Sequence, residues 1–306
     1  MMARPCVKYT GDKIPSRSDL RVEGTPGRVI KSKDNKETGP LRFGTWNVRT
    51  LQSAVKMENL KKEMDNCGID VMGLSEVRRK GQGEIMSEDF TLYYSGGDGE
   101  GRAERGVAVM VRNKMVKSVV NVNCVSDRLM SVKLKAVPVD ILVVQVYMPT
   151  SSHEESELEQ IYDEIEDILN QEGKGKVNVG IMGDFNSVVG EGPEEKIVGT
   201  HGLGKRNVRG NMLVDFCRRH DLMVTNTWFK KRKTKLYTWK SPGDINRYQI
   251  DYVLVKHRFR NSVKDVRTFP GADIDSDHNM LAADIQTKLK NIRKTIGKKI
   301  RWNLEN

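Results

Sequence analysis

The chain contains 306 residues, of which 37% are hydrophobic, so it can bury a large core within one α/β domain. Its formal charge of +11 lies mostly at the two ends: residues 1–40 contain nine Lys/Arg against five Asp/Glu, and residues 288–306 contain seven against one. No apolar stretch approaches the length that spans a bilayer and no secretory leader opens the chain, so we expect an intracellular protein without a membrane partner.

The two ends of the chain are predicted to lie outside the folded domain, which we expect over residues 41–287. Residues 1–40 contain Pro, Gly, Ser and charge with little apolar periodicity, which predicts a disordered basic arm. Residues 288–306 form a basic tail. Such a tail gains affinity for phosphates by counterion release, although a solvated tail without a partner is an equally good interpretation.

Between these ends, apolar runs alternate with helical periodicity. We predict helices over residues 57–67 and 211–220, and strands over 71–74, 107–111, 141–147, 177–184, 250–255 and 281–285. A further helix is predicted between a Ser151-Ser152 cap and Gly173, because its apolar side chains recur at helical spacing. The Gly-rich stretch at 96–101 lacks a following Gly-Lys-Ser/Thr, so it predicts a surface hairpin instead of a phosphate loop.

The four cysteines, Cys6, Cys67, Cys124 and Cys217, are far apart and form no Cys-x-x-Cys pair. Neither a disulfide framework nor a zinc site is therefore indicated, and we expect reduced thiols.

Polar residues suited to phosphodiester hydrolysis stand at the ends of several predicted strands. Glu76 follows the run 71–74, Asp184 and Asn186 end the run from 177, and Asp277 and His278 stand side by side before the last strand. Carboxylate, imidazole and amide groups supply the base, the cation ligands and the hydrogen-bond donors that this reaction requires. Each piece alone also fits a buried hydrogen-bonded pair, so the order and spacing of the set carries the prediction.

Six motifs, in this order, resemble the endonuclease/exonuclease/phosphatase superfamily over about residues 41–287. They are Thr45-Trp46-Asn47-Val48, Ser75-Glu76-Val77, Val146-Tyr147-Met148-Pro149, Gly183-Asp184-Phe185-Asn186, Gln249-Ile250-Asp251-Tyr252 and Ser276-Asp277-His278. Residues 43–51, 79–84 and 236–239 further resemble the apurinic-type endonuclease domain of non-LTR retrotransposons. The resemblance implies a four-layer sandwich of two mixed β-sheets flanked by helices, whereas periodicity alone supports only an α/β or α+β fold.

The resemblance also implies a Mg2+ cofactor, with Mn2+ as an alternative ion. Glu76 is the implied principal ligand, and Asn47 and Asp277 complete an oxygen-rich shell of the kind that a hard cation prefers. From the residues alone, Glu76 could instead cap the following turn. A second metal on Asp184 and Asn186 stays open.

The catalytic roles are likewise implied by the resemblance. Asp184 orients or deprotonates the attacking water, and Asn186, facing the same side of an extended chain, donates to the phosphate. Asp251 holds the imidazole of His278, which binds the phosphate when protonated. Tyr147 offers a phenol that stabilises charge on the phosphate, although a Tyr at a strand end is commonly only packing. The other four histidines are interpreted as surface or loop residues.

A basic run next to aromatic residues is predicted to bind DNA. Lys230, Lys231, Arg232 and Lys233 come just before Tyr237 and Trp239, so cations lie beside rings that can stack on bases or wedge between them. A loop of solvated charges is the alternative interpretation.

Two positions depart from the apurinic endonucleases. Arg49 stands where those enzymes carry an acidic residue near the metal, so the metal is held more weakly or Arg49 binds phosphate directly. Thr150 stands where they have an amide. Both departures agree better with the retroelement branch than with a dedicated repair enzyme.

The function that this resemblance implies is a Mg2+-dependent DNA endonuclease, derived from a retrotransposon endonuclease, that nicks one strand and leaves a 3′-hydroxyl. From the DNA substrate and the basic ends of the chain we expect a nuclear protein, and we expect a monomer. Abasic-site repair or 3′-end trimming is the alternative within enzymes. A DNA- or chromatin-binding protein that has kept the fold and lost catalysis is the alternative of another class.

Overall fold

The computed structural model describes residues 39–97, 104–172 and 177–290. The arm predicted for residues 1–40 and the tail predicted for 288–306 lie almost entirely outside these residues, as does most of the hairpin predicted at 96–101.

Strands dominate the described part of the chain, with few helices between them. The strands are β1 (Leu41–Asn47), β2 (Val71–Ser75), β3 (Gln82–Met86), β4 (Phe90–Ser95), β5 (Val107–Arg112), β6 (Val119–Cys124), β7 (Leu129–Leu134), β8 (Ala136–Val137), β9 (Asp140–Tyr147), β10 (Val177–Asp184), β11 (Leu222–Val224), β12 (Trp239–Lys240), β13 (Arg247–Tyr248), β14 (Asp251–Lys256), β15 (Val263–Phe269), β16 (Met280–Ile285) and β17 (Lys288–Leu289). The α-helices are α1 (Ala54–Asn66), α2 (Asn113–Val116), α3 (Glu155–Gln171) and α4 (Val208–Arg219), and 3-10 turns cover Thr225–Trp228, Lys233–Lys235, Pro242–Asp244 and His257–Ser262.

Two mixed β-sheets form the body of the molecule. The first has the order β15-β16-β1-β2-β5-β4-β3 and the second has the order β11-β14-β10-β9-β7-β6. Each sheet contains one parallel pair, β1 with β2 and β9 with β10, and its other pairs are antiparallel. The short pairs β12–β13 and β8–β17 lie outside the two large sheets.

Three hydrophobic clusters define the four layers that the resemblance predicts. Side chains of both sheets, such as Phe43, Val109 and Val253, form the central cluster. Helix α1 packs on the outer face of the first sheet, and α3 and α4 pack on the outer face of the second. The predicted fold class is therefore confirmed. None of the helices that the structure describes is long and apolar enough to cross a membrane.

Gly73 on β2 lies where the first sheet packs closely against the second. A Cβ atom there would overlap the side-chain amide of Gln145 on β9 and press against Met182 on β10. In turn, the Nε2 group of Gln145 donates to the hydroxyl of Ser75, 3.0 Å away. The buried amide of Gln145 therefore links the two sheets close to the edge at which the polar residues at the strand ends lie.

The predicted strands are all present, with ends shifted by at most one residue, because each is a largely apolar run between polar segments. Helix α3 corrects one prediction: its N-cap is Glu154, not Ser151 or Ser152. The hydroxyl of Ser152 is instead engaged with the Thr150 hydroxyl, 2.8 Å away. Acidic residues in the first turn, Glu155 among them, suit the positive end of the helix dipole. The predicted stop at Gly173 lies outside the described residues.

In the described part of the chain, Cys67, Cys124 and Cys217 form no disulfide with one another, and the reduced state of the thiols stays a prediction.

Candidate active site

The strand topology brings five of the predicted site residues to one edge of the sandwich. In the first sheet, Asn47 ends β1 beside Ser75, so Glu76 follows directly at the end of β2. In the second sheet, Asp184 at the end of β10 pairs with Tyr147 on one side and with Asp251 on the other. Because β14 runs antiparallel to β10, its first residue reaches the same edge as the last residue of β10.

The chain leaves these strands through left-handed turns at residues other than glycine. The φ angles are +47° at Arg49, +54° at Glu76 and +46° at Asn186, a region that side chains with a Cβ adopt at a cost. Backbone hydrogen bonds continue between the two turns of the first sheet, from Thr50 N to Glu76 O at 2.7 Å and from Leu51 N to Val77 O at 3.0 Å. The ladder therefore holds the strained turns in place and fixes where their side chains point.

Asn47 links the two sheets at the centre of this edge. Its Nδ2 group donates to Glu76 Oε1 at 2.9 Å and to Asp184 Oδ2 at 3.0 Å. Glu76 Oε1 also accepts from the hydroxyl of Tyr147 at 3.1 Å, and Glu76 Oε2 accepts from Arg78 Nη2 at 2.7 Å. Burial, followed by the charge of Glu76, raises the pKa of the Tyr147 phenol, so this hydroxyl stays a proton donor.

Asp251, His278 and Asp184 form a buried relay. His278 Nδ1 lies 3.0 Å from Asp251 Oδ2, and His278 Nε2 lies 3.8 Å from Asp184 Oδ2. Burial opposes the charged imidazole, but the charges of Asp251 and then Asp184 outweigh it and raise the pKa of His278. Burial, together with the charge of Asp251, also raises the pKa of Asp184. Both shifts run in the same direction, so the imidazole of His278 and the carboxylate of Asp184 each hold a proton more readily than usual.

Two sets of donors at this edge could hold a metal ion. Ligand atoms of Asp184, Asp251 and His278 lie within 4.8 Å of one another. Within this trio, His278 Nδ1 and Asp251 Oδ2 already engage each other at 3.0 Å, so these two ligand atoms are less available to a metal ion. The second set contains Glu76 and Asp277.

Asp277 is suited to bind a metal ion, because one of its carboxylate oxygens is buried and accepts no hydrogen bond from the described residues. Oδ1 has no hydrogen-bond partner among the described residues, whereas Oδ2 accepts from Trp239 Nε1 at 3.0 Å. Arg49 Nε lies 3.7 Å from Oδ1, and its side chain is 54% exposed. The tryptophan fixes one carboxylate oxygen and leaves the other for a cation, which is the arrangement that hydrogen-bonded metal ligands usually show.

A cavity of about 520 Å³ opens over these groups. Seven of the predicted residues line it, namely Arg49, Glu76, Asp184, Asn186, Trp239, Asp277 and His278, together with Thr150. Asn47, Tyr147 and Asp251 lie behind this lining and reach it through the hydrogen bonds described above.

Asn186 lines the cavity, but it does not reach it by facing the same side of an extended strand as Asp184. The chain is not extended there, because β10 ends at Asp184 and Asn186 is left-handed. Its backbone N–H donates to Asp184 Oδ1 at 3.0 Å, and its Nδ2 group donates to Met148 O at 2.9 Å. A tight turn around the Asp184 carboxylate, not strand alternation, brings the amide to the site.

The basic-aromatic segment is placed differently from the prediction. Lys230, Lys231, Arg232 and Lys233 do not line the cavity, and Lys231 forms an ion pair with Asp265 on β15 at 2.5 Å. Tyr237 is buried, and the Arg247 guanidinium lies 4.8 Å from its ring centroid. Its ring is therefore enclosed by packing, and DNA binding by this segment stays a prediction.

Tyr248 is the aromatic residue that the sequence analysis missed. It lines the cavity, and its ring centroid lies 5.8 Å from that of Trp239 across the β12–β13 hairpin. Only the pairing of two very short strands places it there, so no sequence signal would have identified it. Arg78 was missed as well, although its position two residues after Glu76 is a signal that could have been used.

Comparison with known proteins agrees with this geometry. The model of the Endonuclease/Exonuclease/phosphatase family matches residues 44–278. Craniofacial development protein 2 of Bos taurus is 39% identical over 285 residues, which are 93% of this chain and 47% of that protein. The protein of the same name from Tragulus javanicus is 36% identical over 305 residues, covering 95% of this chain and 52% of its own length. The chain thus spans about half the length of these relatives.

One solved structure among those with a similar fold is the endonuclease domain of TRAS1, a telomere-specific non-LTR retrotransposon. It superposes with a TM-score of 0.57 at 15% identity, over 81% of this chain and 99% of that chain. At this identity the likeness concerns the fold alone. The resemblance inferred from the six motifs is confirmed, and the chain belongs to the endonuclease/exonuclease/phosphatase family.

Proposed function

We propose that this protein is a Mg2+-dependent DNA endonuclease that nicks one strand and leaves a 3′-hydroxyl. The observation that carries the proposal is the relay of Asp251, His278 and Asp184 beside the hydrogen-bonded pair of Asn47 and Glu76. The family and its fold establish a hydrolase of the nuclease and phosphatase type. The choice of DNA, of Mg2+ and of nicking belongs to the proposal.

The side chains supply a base and several hydrogen-bond donors. The raised pKa of Asp184 suits it to accept a proton from water, which then attacks phosphorus as the P–O3′ bond breaks. His278 Nε2 is too far from Asp184 for a hydrogen bond, so its N–H is available to a phosphate oxygen. One N–H of the Asn186 amide is engaged with Met148 O, and the other can donate to the same phosphate.

A divalent cation held by Glu76 and Asp277, with Asn47 beside them, would neutralise the charge that develops on the phosphate. Mn2+ has similar oxygen-ligand chemistry and is expected to substitute. Tyr147 and Asn47 orient the Glu76 carboxylate by donating to the same oxygen, 3.1 Å and 2.9 Å away. Asp251 acts through His278 and therefore positions it.

The proposal is tested by incubating the purified protein with supercoiled plasmid in Mg2+ or in EDTA. We expect open-circular product with Mg2+ alone, and a loss of about 10²-fold or more in Asp184→Asn and His278→Gln, because the first removes the base and the second removes the imidazole that donates to the phosphate. Asp163→Asn, an exposed residue of α3, is the matched control that keeps wild-type activity. Sealing of the nick by DNA ligase requires a 5′-phosphate and a 3′-hydroxyl, so unsealable nicks would contradict the proposed chemistry.

The binding-protein alternative makes a different prediction. If wild-type protein binds DNA but cleaves no more than Asp184→Asn in the presence of Mg2+ or Mn2+, the enzymatic proposal is wrong. A duplex with one abasic site, assayed in parallel, separates repair from nicking of intact DNA.

A further inference from the structure

A second cavity, of about 310 Å³, lies beside the first. Glu76 lines both cavities, so the two are neighbours along one groove. Arg78, Arg105, Arg128 and His153 contribute to the second cavity, and Tyr147 forms part of its wall. The sequence motifs assign no role to Arg105 or Arg128.

Arg128 is a buried cation without an ion pair. It is 4% exposed, its guanidinium carbon lies 5.1 Å from the centroid of the Tyr147 ring, and it takes part in none of the ion pairs found among the described residues. Nη1 donates to Tyr147 O at 3.2 Å and Nη2 lies 3.3 Å from His153 Nε2, but the buried Nε–H has no partner. A buried charge of this kind is costly unless a counterion approaches it.

Arg105 brings a second positive charge to the same cavity. Its side chain is 42% exposed, and its nearest carboxylate, that of Glu157, is 3.9 Å away. Burial, followed by the charge of Arg105, lowers the pKa of Arg128, so the two guanidinium groups repel each other. Arg78, by contrast, is already paired with Glu76 at 2.7 Å. An anion between Arg105 and Arg128 would relieve the repulsion and satisfy the free Nε–H.

We propose that Arg105 and Arg128 bind a second phosphate of the same DNA strand, adjacent to the phosphate held at Asp184 and His278. This inference rests on the proposed function, because it extends the substrate groove from the first cavity past Glu76 and Tyr147. Arginine suits the role, since its planar fork can contact two oxygens of one phosphate.

The site is tested by measuring DNA affinity by fluorescence anisotropy of a labelled duplex, in EDTA so that no cleavage occurs, over a series of salt concentrations. We expect Arg105→Ala to bind about threefold to tenfold more weakly, with a salt slope smaller by about one unit, because one phosphate contact is lost. Arg128→Lys keeps the charge but loses the free Nε–H, so weaker binding with a nearly unchanged slope is expected.

Arg260→Ala is the matched control, because Arg260 is exposed in the 3-10 turn that follows β14 at the opposite end of the sandwich. It should bind as the wild type does. If both arginines hold one phosphate, the double variant loses less affinity than the product of the two single losses. If the affinity loss of the double variant equals the product of the two single losses, the arginines contact separate phosphates, and the proposal of one shared site is wrong.

Three further results would each contradict the proposed site, its assignment to a DNA strand, or the function on which it rests. Arg105→Ala that binds with wild-type affinity and wild-type salt slope overturns the proposal, even if Arg128→Lys fails to fold in a thermal melt. If inorganic phosphate stabilises the wild type more than Arg105→Ala while their DNA affinities are equal, the site takes free phosphate and the strand assignment is wrong. Wild-type protein that does not bind the duplex contradicts the proposed function itself.

Discussion

Three of the residues that line the first cavity lie on strained backbone turns. Arg49, Glu76 and Asn186 adopt left-handed φ angles directly after β1, β2 and β10, where side chains other than glycine are uncommon. The hydrogen bonds from Thr50 N and Leu51 N to the neighbouring turn hold this geometry before any substrate arrives. Such strain is retained where the surrounding structure compensates for it, and here it places one guanidinium, one carboxylate and one amide in the lining of the same cavity.

Asp251 provides the first prediction at the residue scale. Because it holds His278 through Nδ1 at 3.0 Å, Asp251→Asn should misorient the imidazole and lower kcat by about 10²-fold or more, with little change in KM. Steady-state nicking kinetics measure this. Asp140→Asn, at the far end of β9, is the control. An unchanged kcat in Asp251→Asn would show that His278 does not depend on the carboxylate.

Trp239 provides the second prediction at this scale. Its Nε1 group donates to Asp277 Oδ2 at 3.0 Å, so Trp239→Phe keeps most of the ring but frees the carboxylate to rotate. Removing a hydrogen bond of this kind costs about tenfold or more in metal affinity. Calorimetric titration with Mn2+ should show this loss, whereas Trp228→Phe, which loses a hydrogen bond to Ile197 O remote from Asp277, should not. Equal affinities would remove Asp277 from the metal site.

At the scale of the elements, the two sheets must meet at a fixed separation for the site to form. Asn47 on β1 donates across the gap to Asp184 on β10, and Gln145 on β9 donates to Ser75 on β2. Both hydrogen bonds join one sheet to the other. A change in the sheet separation would therefore disturb the site without touching any residue that faces the cavity.

Gly73→Ala tests this requirement. The new methyl group has no space between Gln145 and Met182, so we expect a loss of about 1–3 kcal/mol in the free energy of unfolding from overpacking. We also expect lower nicking activity in the folded fraction. Gly180→Ala on β10 is the matched control, because its Cβ would meet nothing within 4 Å. Urea denaturation measures both variants. A neutral Gly73→Ala would mean that the sheets can separate freely.

At the scale of the whole molecule, charge is distributed unevenly along the chain. Most of the formal charge of +11 belongs to residues 1–40 and 288–306, whereas the sequence between them is nearly neutral. Four arginines, Arg49, Arg78, Arg105 and Arg128, line the two cavities. Under the proposed function, we expect these arginines to supply local phosphate contacts and the basic ends of the chain to supply long-range attraction.

Comparing the full chain with a chain of residues 39–290 tests that division. The shorter chain should keep its kcat at saturating DNA, but it should bind more weakly and with a smaller dependence on salt, because fewer counterions are released. Anisotropy titrations at several salt concentrations measure the difference. Identical affinities and salt slopes would favour the interpretation of the basic ends as solvated segments without a DNA partner.

Much of the architecture could be predicted because its signals are local. Each predicted strand is a largely apolar run between polar residues, and the structure places its ends within one residue of the prediction. The start of α3 was predicted less well, since a serine can satisfy its hydroxyl in a turn instead of capping a helix, as Ser152 does with Thr150.

The sequence by itself determined the family and the order of its motifs, because both depend on residue identity along the chain. Only the tertiary structure decided which side chains meet. Asn47 and Asp184 are 137 positions apart, yet they share a hydrogen bond because β1 and β10 end at the same edge of facing sheets. The burial of Tyr237 and the unpaired guanidinium of Arg128 were decided in the same way, since the partners of a side chain depend on packing between distant segments.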